Sequence, residues 1–165
     1  MPIYNGFYRQ GAVGGSVGQP FPDALRIFGP FLPVQIEAPS ALVSQVQQEG
    51  KPPPAPVAGF ALIDTGATAT AVDETAIGQL GVQPIDVATV GTAGGAQPRL
   101  VYPGRLSFPG TPLGTFEFGR LLGVDLAGQS VPLPQGQIIV LLGRDILQRC
   151  ILIYNGSVGM FSLSF

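Results

Sequence analysis

The chain has 165 residues, and 24 glycines with 17 prolines make roughly a quarter of it chain-breaking, against only 8 Lys or Arg and 10 Asp or Glu. One domain is expected at this length, large enough to bury about 70% of the unfolded surface without disulfides or metals. The absence of histidine excludes Ser/His/Asp and Cys/His nucleophile arrangements and His-containing zinc sites, and the net charge of -2 speaks against a nucleic-acid partner.

Forty-five per cent apolar residues is too many for disorder, so the Gly and Pro content is read as many short strands with tight turns. The longest purely aliphatic run, residues 138–142, is far short of the ~20 residues of a membrane span. The opening MPIYNGFYRQGAVGG has no basic segment followed by an apolar one, so no signal peptide is read and a cytoplasmic protein is expected. Residues 1–30, rich in Gly and aromatics, form an N-terminal extension, either packed on the core or a flexible arm or pro-segment. The main domain is placed at 31–165.

In chain order, 31–38 (FLPVQIEA) reads as a strand, 39–48 carries Leu42, Val43 and Val46 at helical spacing, and 50–56 (GKPPPAP) is a stiff, extended connector. Residues 57–63 are continuously apolar between Pro and DTG, as in a strand buried on both faces. A short helical turn is expected within 72–80. Strands at 87–92 and 97–106 flank Ala93, Gly94, Gly95 and Ala96, which reads as a hairpin with a mobile tip. Further strands are expected at 114–122 and 137–142, then a helical RDILQR at 144–149 and a C-terminal hairpin over 151–165. The fold class is all-β with one or two short helices.

Chemistry is concentrated in FALIDTGATAT, residues 60–70. Asp64 sits at the mouth of an apolar strand, where a carboxylate is costly unless hydrogen-bonded or sharing a proton. The small residues Thr65, Gly66, Ala67 and Thr68 let the backbone turn sharply and leave room for a substrate. The plainer alternative is an Asx turn in which Asp64 caps the loop through the amides of Gly66 or Ala67.

A second segment, QIIVLLGRDILQRCILIY at 137–154, reads as apolar strand, Gly, Arg, Asp, short helix and apolar strand. With Asp64-Thr65-Gly66-Ala67-Thr68 upstream and Leu141-Leu142-Gly143-Arg144-Asp145-Ile146-Leu147 downstream, the sequence resembles the retropepsin-like aspartic proteases. The resemblance covers about residues 31–165 and implies an acid-protease fold, a closed β-barrel or sandwich. It further implies that Asp64 is the acid/base group, that Thr65 bonds across a twofold axis, and that Gly66 admits the substrate backbone. Ala67 and Thr68 would line the pocket, Ala93, Gly94, Gly95 and Ala96 would form the flap, and Gly143, Arg144 and Asp145 would support the site. The sequence departs from many retroviral members at Thr68, where an acid would pair with the Arg; Arg144 must then be satisfied by carbonyls, by Asp145 or by an acid elsewhere. A buried Arg144 tying the helix to the active-site strand is expected, because its neighbours are core-like.

With one DTG per chain, the resemblance implies a homodimer in which two Asp64 carboxylates share a proton and activate water against a peptide substrate, with no cofactor or metal. The C-terminal hairpin would supply strands to the dimer interface. The rival function is a silent dimeric peptide-binding or scaffold module of the same fold. The Asp-x-Gly-x-Thr turn of actin-like ATPases is set aside, because those folds need two α/β lobes. Self-removal of residues 1–56 is a further possibility. Cys150 reads as a buried apolar residue, without a base to activate it.

Overall fold

The computed structural model describes residues 2–10, 18–92, 95–132 and 135–165. It is mostly β with a few short helices. In chain order the elements are β1 (Ile3–Phe7), β2 (Arg9–Gln10), β3 (Gln19–Pro20), α1 (Pro22–Phe28), β4 (Phe31–Glu37) and α2 (Ser40–Gln48). Then come β5 (Val57–Ile63), β6 (Ala71–Asp73), α3 (Glu74–Gly78), β7 (Asp86–Thr92), β8 (Gly95–Ser107) and β9 (Phe116–Val124). The chain ends with β10 (Ser130–Pro132), β11 (Gln135–Leu142), α4 (Arg144–Leu147), β12 (Ile151–Asn155), a single 3-10 turn (Gly156–Val158) and β13 (Met160–Ser164).

The main sheet runs β10-β11-β5-β4-β8-β9-β6, and β6 pairs back onto β11, so six of its strands close on themselves. Closure removes the sheet edges that a Gly/Pro-rich β protein would otherwise expose. Two of the pairings, β11 with β5 and β6 with β9, are parallel; the rest are antiparallel. The apolar run in β11 is explained by its neighbours: Val140 and Leu142 are fully buried, flanked by β5 on one side and β6 on the other. Leu32, Val34 and Ile36 alternate into the core from β4 and meet Leu106, Leu121 and Ile77 there.

The helix content exceeds the one or two short helices of the expected fold class: among the described residues there are four, of which α2, α3 and α4 fall in segments read as helical and one does not. The additional one is α1, in PDALRIF, where Pro22 stands at the first helical position, Asp23 is in the first turn and Arg26 in the last. Its Leu25 is fully buried.

Residues 2–10 and 18–30 pack on the core. Strand β1 lies antiparallel to β13, which pairs with β12 in a three-stranded sheet joining both chain ends. Gly6 is needed there, since a Cβ would fall 2.1 Å from the buried Phe161 ring. The Tyr8 hydroxyl donates to Gly29 O at 2.5 Å, and its ring meets Phe31 edge-on at 5.2 Å. Burial pushes the Tyr8 phenol well above its ordinary value. Strand β4, between β5 and β8, lies inside the first 56 residues, so removing residues 1–56 would take out a central strand.

Candidate active site

Strands β5 and β11 run parallel and end together, with Leu142 beside Ile63. The two chemical segments of the sequence leave these adjacent ends: residues 64–70 from β5, and residues 143–147 from β11. Asp64 N–H donates to Leu142 O at 3.0 Å, and Arg144 N–H donates to Ala67 O at 3.0 Å.

Thr70, which was not singled out in the sequence, is the centre of the junction. Fully buried, it accepts a hydrogen bond from Gly143 N–H at 3.1 Å through its hydroxyl and donates to Asp145 Oδ1 at 2.7 Å. Its backbone N–H donates to Asp145 Oδ2 at 2.9 Å. Gly143 is held so closely that a Cβ there would lie 2.4 Å from the Ala69 carbonyl carbon. Its φ of -87° is ordinary, so lack of space, not backbone conformation, demands glycine.

Arg144 departs from expectation in its exposure and answers the question of its partner. The side chain is exposed, donating from Nη1 to Thr65 O and from Nη2 to Thr68 Oγ1, both at 3.0 Å. Thr68, the position where an acid was missed, therefore serves as a neutral acceptor for the guanidinium. The tie between helix and loop exists, but on the surface.

Asp64 is half-buried, and its Oδ1 accepts from Gly66 N–H at 2.8 Å and Ala67 N–H at 3.2 Å. The Asx turn is thus present, and both amides named for it take part. Among the described residues nothing donates to Oδ2. The other aspartates are differently placed. Asp73 spends both oxygens on amides, of Ala76 and Leu126; Asp86 pairs with Arg120; Asp145 holds Thr70. Asp125 is exposed and caps its own loop through Ala127 N–H.

Asp64 also lines a groove of about 620 Å³, walled by Gly66, Ala67, Thr68, Ala69 and Ala71 below and by Thr89, Val90 and Gly91 of β7 above. Leu122, Val124 and Leu141 make its apolar side. Two further cavities, of about 240 and 520 Å³, lie around the loop at Ala127 and Gly128; the only carboxylate lining either is the fully used Asp73.

Of the expected flap residues, Ala93 and Gly94 lie outside the described residues. Gly95 and Ala96 belong to β8, opposite Thr92 and Gly91. Gly95 has φ +105°, a conformation that suits glycine at the start of a returning strand. The part of the hairpin that faces Asp64 is β7, at Thr89, Val90 and Gly91, none of which the sequence singled out. Leu122 read only as a strand residue and Leu141 only as the start of the second motif, while Ala71 and Val124 lay outside the expected strands. Among the described residues no cluster of carboxylates or Cys could hold a metal, and no helix is long and apolar enough to cross a membrane. No family model matches the chain, and no curated protein sequence matches it either.

Proposed function

We propose that the chain is a retropepsin-like aspartic endopeptidase, active as a homodimer with Asp64 contributed by each subunit. The observation that carries this reading is the setting of Asp64: a carboxylate fixed through Oδ1 by its own loop, in the floor of a groove roofed by a hairpin strand. The closed barrel and the floor built from two strand ends support it. So does the three-stranded terminal sheet, on whose outer face Ile3, Phe7, Ile151 and Ile153 are all more than half exposed, an apolar surface suited to a second copy.

In the dimer the two Asp64 carboxyls share one proton, because two like charges so close do not both ionise cheaply. The ionised one takes a proton from water as its oxygen attacks the peptide carbonyl carbon, and the protonated one gives its proton to the carbonyl oxygen. The resulting tetrahedral diol collapses, the nitrogen takes a proton, the C–N bond breaks, and acid and amine leave with the dyad again singly protonated. The Gly66 and Ala67 amides hold each carboxylate in place throughout. The apolar wall of Leu122, Val124 and Leu141 accepts substrate side chains.

The Asx turn at Asp64 also suits a silent peptide-binding module of the same fold, so the test must separate the two. Light scattering gives the oligomeric state, and cleavage of a denatured protein is followed at pH 4 to 6. Asparagine can still accept the Gly66 and Ala67 amides, so Asp64→Asn is expected to keep fold and dimer while cutting cleavage at least about 10³-fold. Equal cleavage by Asp64→Asn, or cleavage by a strict monomer, would overturn the shared dyad. A dimer that binds peptide without cleaving it would establish the silent module.

A further inference from the structure

The connection between β4 and β5 is far longer than its geometry requires. The strands are adjacent and antiparallel with Ile36 opposite Val57, a juncture that a hairpin loop of about 2 to 5 residues would close, yet the chain spends residues 37–56 on it. Loops of this length without secondary structure of their own are usually functional or disordered in compact domains, and here α2 takes up about half of the connection. This one is ordered: α2 buries none of its residues, and its start is fastened to the barrel by Glu117, which accepts from Ser40 N–H at 3.0 Å and Ser40 Oγ at 2.8 Å. An excursion that adds little to the core but is pinned to it is built to present something.

Beyond α2, past Glu49 and Gly50, the chain runs Lys51-Pro52-Pro53-Pro54-Ala55-Pro56. Four prolines fix φ, and Lys51, Pro52, Pro53 and Ala55 each precede a proline, which steers them to the extended region. Residues 52–56 make no hydrogen bond among the described residues, as in a polyproline II helix. That helix has three residues per turn, so its ridges are i and i+3. Pro54 and Val57, on one ridge, are half-buried against the body; Pro53 with Pro56, and Pro52 with Ala55, form two ridges whose residues are exposed. The chain's one lysine stands at the N-terminal end, its ammonium 2.8 Å from Glu49 Oε2 on the surface. The other end leads into β5, whose length sets the segment roughly 25 Å from Asp64.

We propose that residues 51–56 are a docking ligand for a folded partner module whose groove is lined by parallel aromatic rings and rimmed by acid. The Pro53–Pro56 and Pro52–Ala55 ridges enter the groove, and Lys51 meets the acidic rim. The segment is preformed, so little ordering entropy opposes binding, and its distance from Asp64 leaves the groove free while the partner is held. The site is independent of any catalysis by Asp64.

The test is titration of the ¹⁵N-labelled full chain with a set of SH3 domains, whose grooves carry paired Tyr and Trp rings beside acidic residues. Saturable shifts confined to residues 47–57 are expected, unchanged in Asp64→Asn. The pair Pro53→Ala with Pro56→Ala, and separately Lys51→Glu, should each weaken binding by about tenfold or more, with the body-facing Pro54→Ala changing it least. Unchanged spectra outside the segment show that each variant is folded. No saturable binding by any member of the set, shifts centred on the Asp64 groove, or affinity indifferent to the paired substitution would each overturn the proposal and leave 51–56 as a rigid spacer.

Discussion

The floor of the groove, residues 64–70, is tied to residues 142–145 by a dense set of hydrogen bonds spanning more than 70 positions of sequence, whereas its roof, β7, shares a backbone ladder with β8 alone among the described strands. At the junction in the floor the small residues are fitted parts: Gly143 is pressed against Ala69, and the Thr70 hydroxyl is used twice. In the roof Val87 projects more than half exposed, and Gly91 has nothing within 4 Å of where a Cβ would stand. On the proposed reading the difference reflects two tasks. A carboxylate that must meet a substrate bond at a fixed point would need a rigid frame, while a strand lying over a groove would have to lift to admit an extended chain.

One methyl group placed on each side tests this contrast most directly. Gly143→Ala puts a carbon 2.4 Å from backbone that cannot yield, and a loss of about 3 kcal/mol in urea unfolding is expected. Gly91→Ala meets open space and is expected to leave the stability within about 0.5 kcal/mol of the parent. Equal costs at the two positions would show that floor and roof are not differently packed. Next in size is Thr70→Val, which keeps the shape but strips the acceptor from Gly143 N–H and the donor from Asp145 Oδ1. It should cost about 2 kcal/mol, with Thr70→Ser recovering more than half. If valine were as stable as threonine, the hydroxyl bridge would not be what closes the floor.

How far these features could be read in advance depended on how local their causes are. The strands at 57–63 and 137–142 were legible as continuous apolar runs, but only the second is buried on both faces: β11 buries Ile138, Ile139, Val140 and Leu142, whereas β5 buries only Ala61 and Ile63 and exposes Ala58, its run reflecting partial cover and not full burial. The α2 helix was legible because Leu42, Val43 and Val46 repeat at helical spacing. The α1 helix was missed although Pro22 and Asp23 mark its start, since seven residues within a Gly- and aromatic-rich stretch carry little periodicity. Asp64, Gly143 and Asp145 were marked by the two motifs, but Thr70 was not: its partner lies 75 positions away, and nothing local distinguishes it from Thr68. The same holds for β1, whose role depends on β13 at the other end of the chain, and for the β7 residues over the groove, which face Asp64 only once the hairpin has folded back.

The smallest expected effect concerns what holds the roof at its base. Asp86 at the start of β7 accepts from Arg120 Nη1 of β9 at 2.8 Å and from Val87 N–H at 2.7 Å, and the Arg120 bond foremost holds its carboxyl below the ordinary 3.8. A depressed folded value means that the contribution is present above the unfolded value and is lost as pH falls through the folded one. Between pH 5 and 8 the tie is therefore constant, and it weakens only below about pH 4. Both side chains are half or more exposed, so Asp86→Asn should leave the global unfolding midpoint unchanged. Amide exchange in β7 should instead quicken relative to β11, and 1 M salt should reproduce part of that change in the parent by screening the pair. A variant whose β7 and β11 amides quicken together would mean that the roof opens only with the whole barrel, and the contrast with the floor would then be one of packing and not of motion.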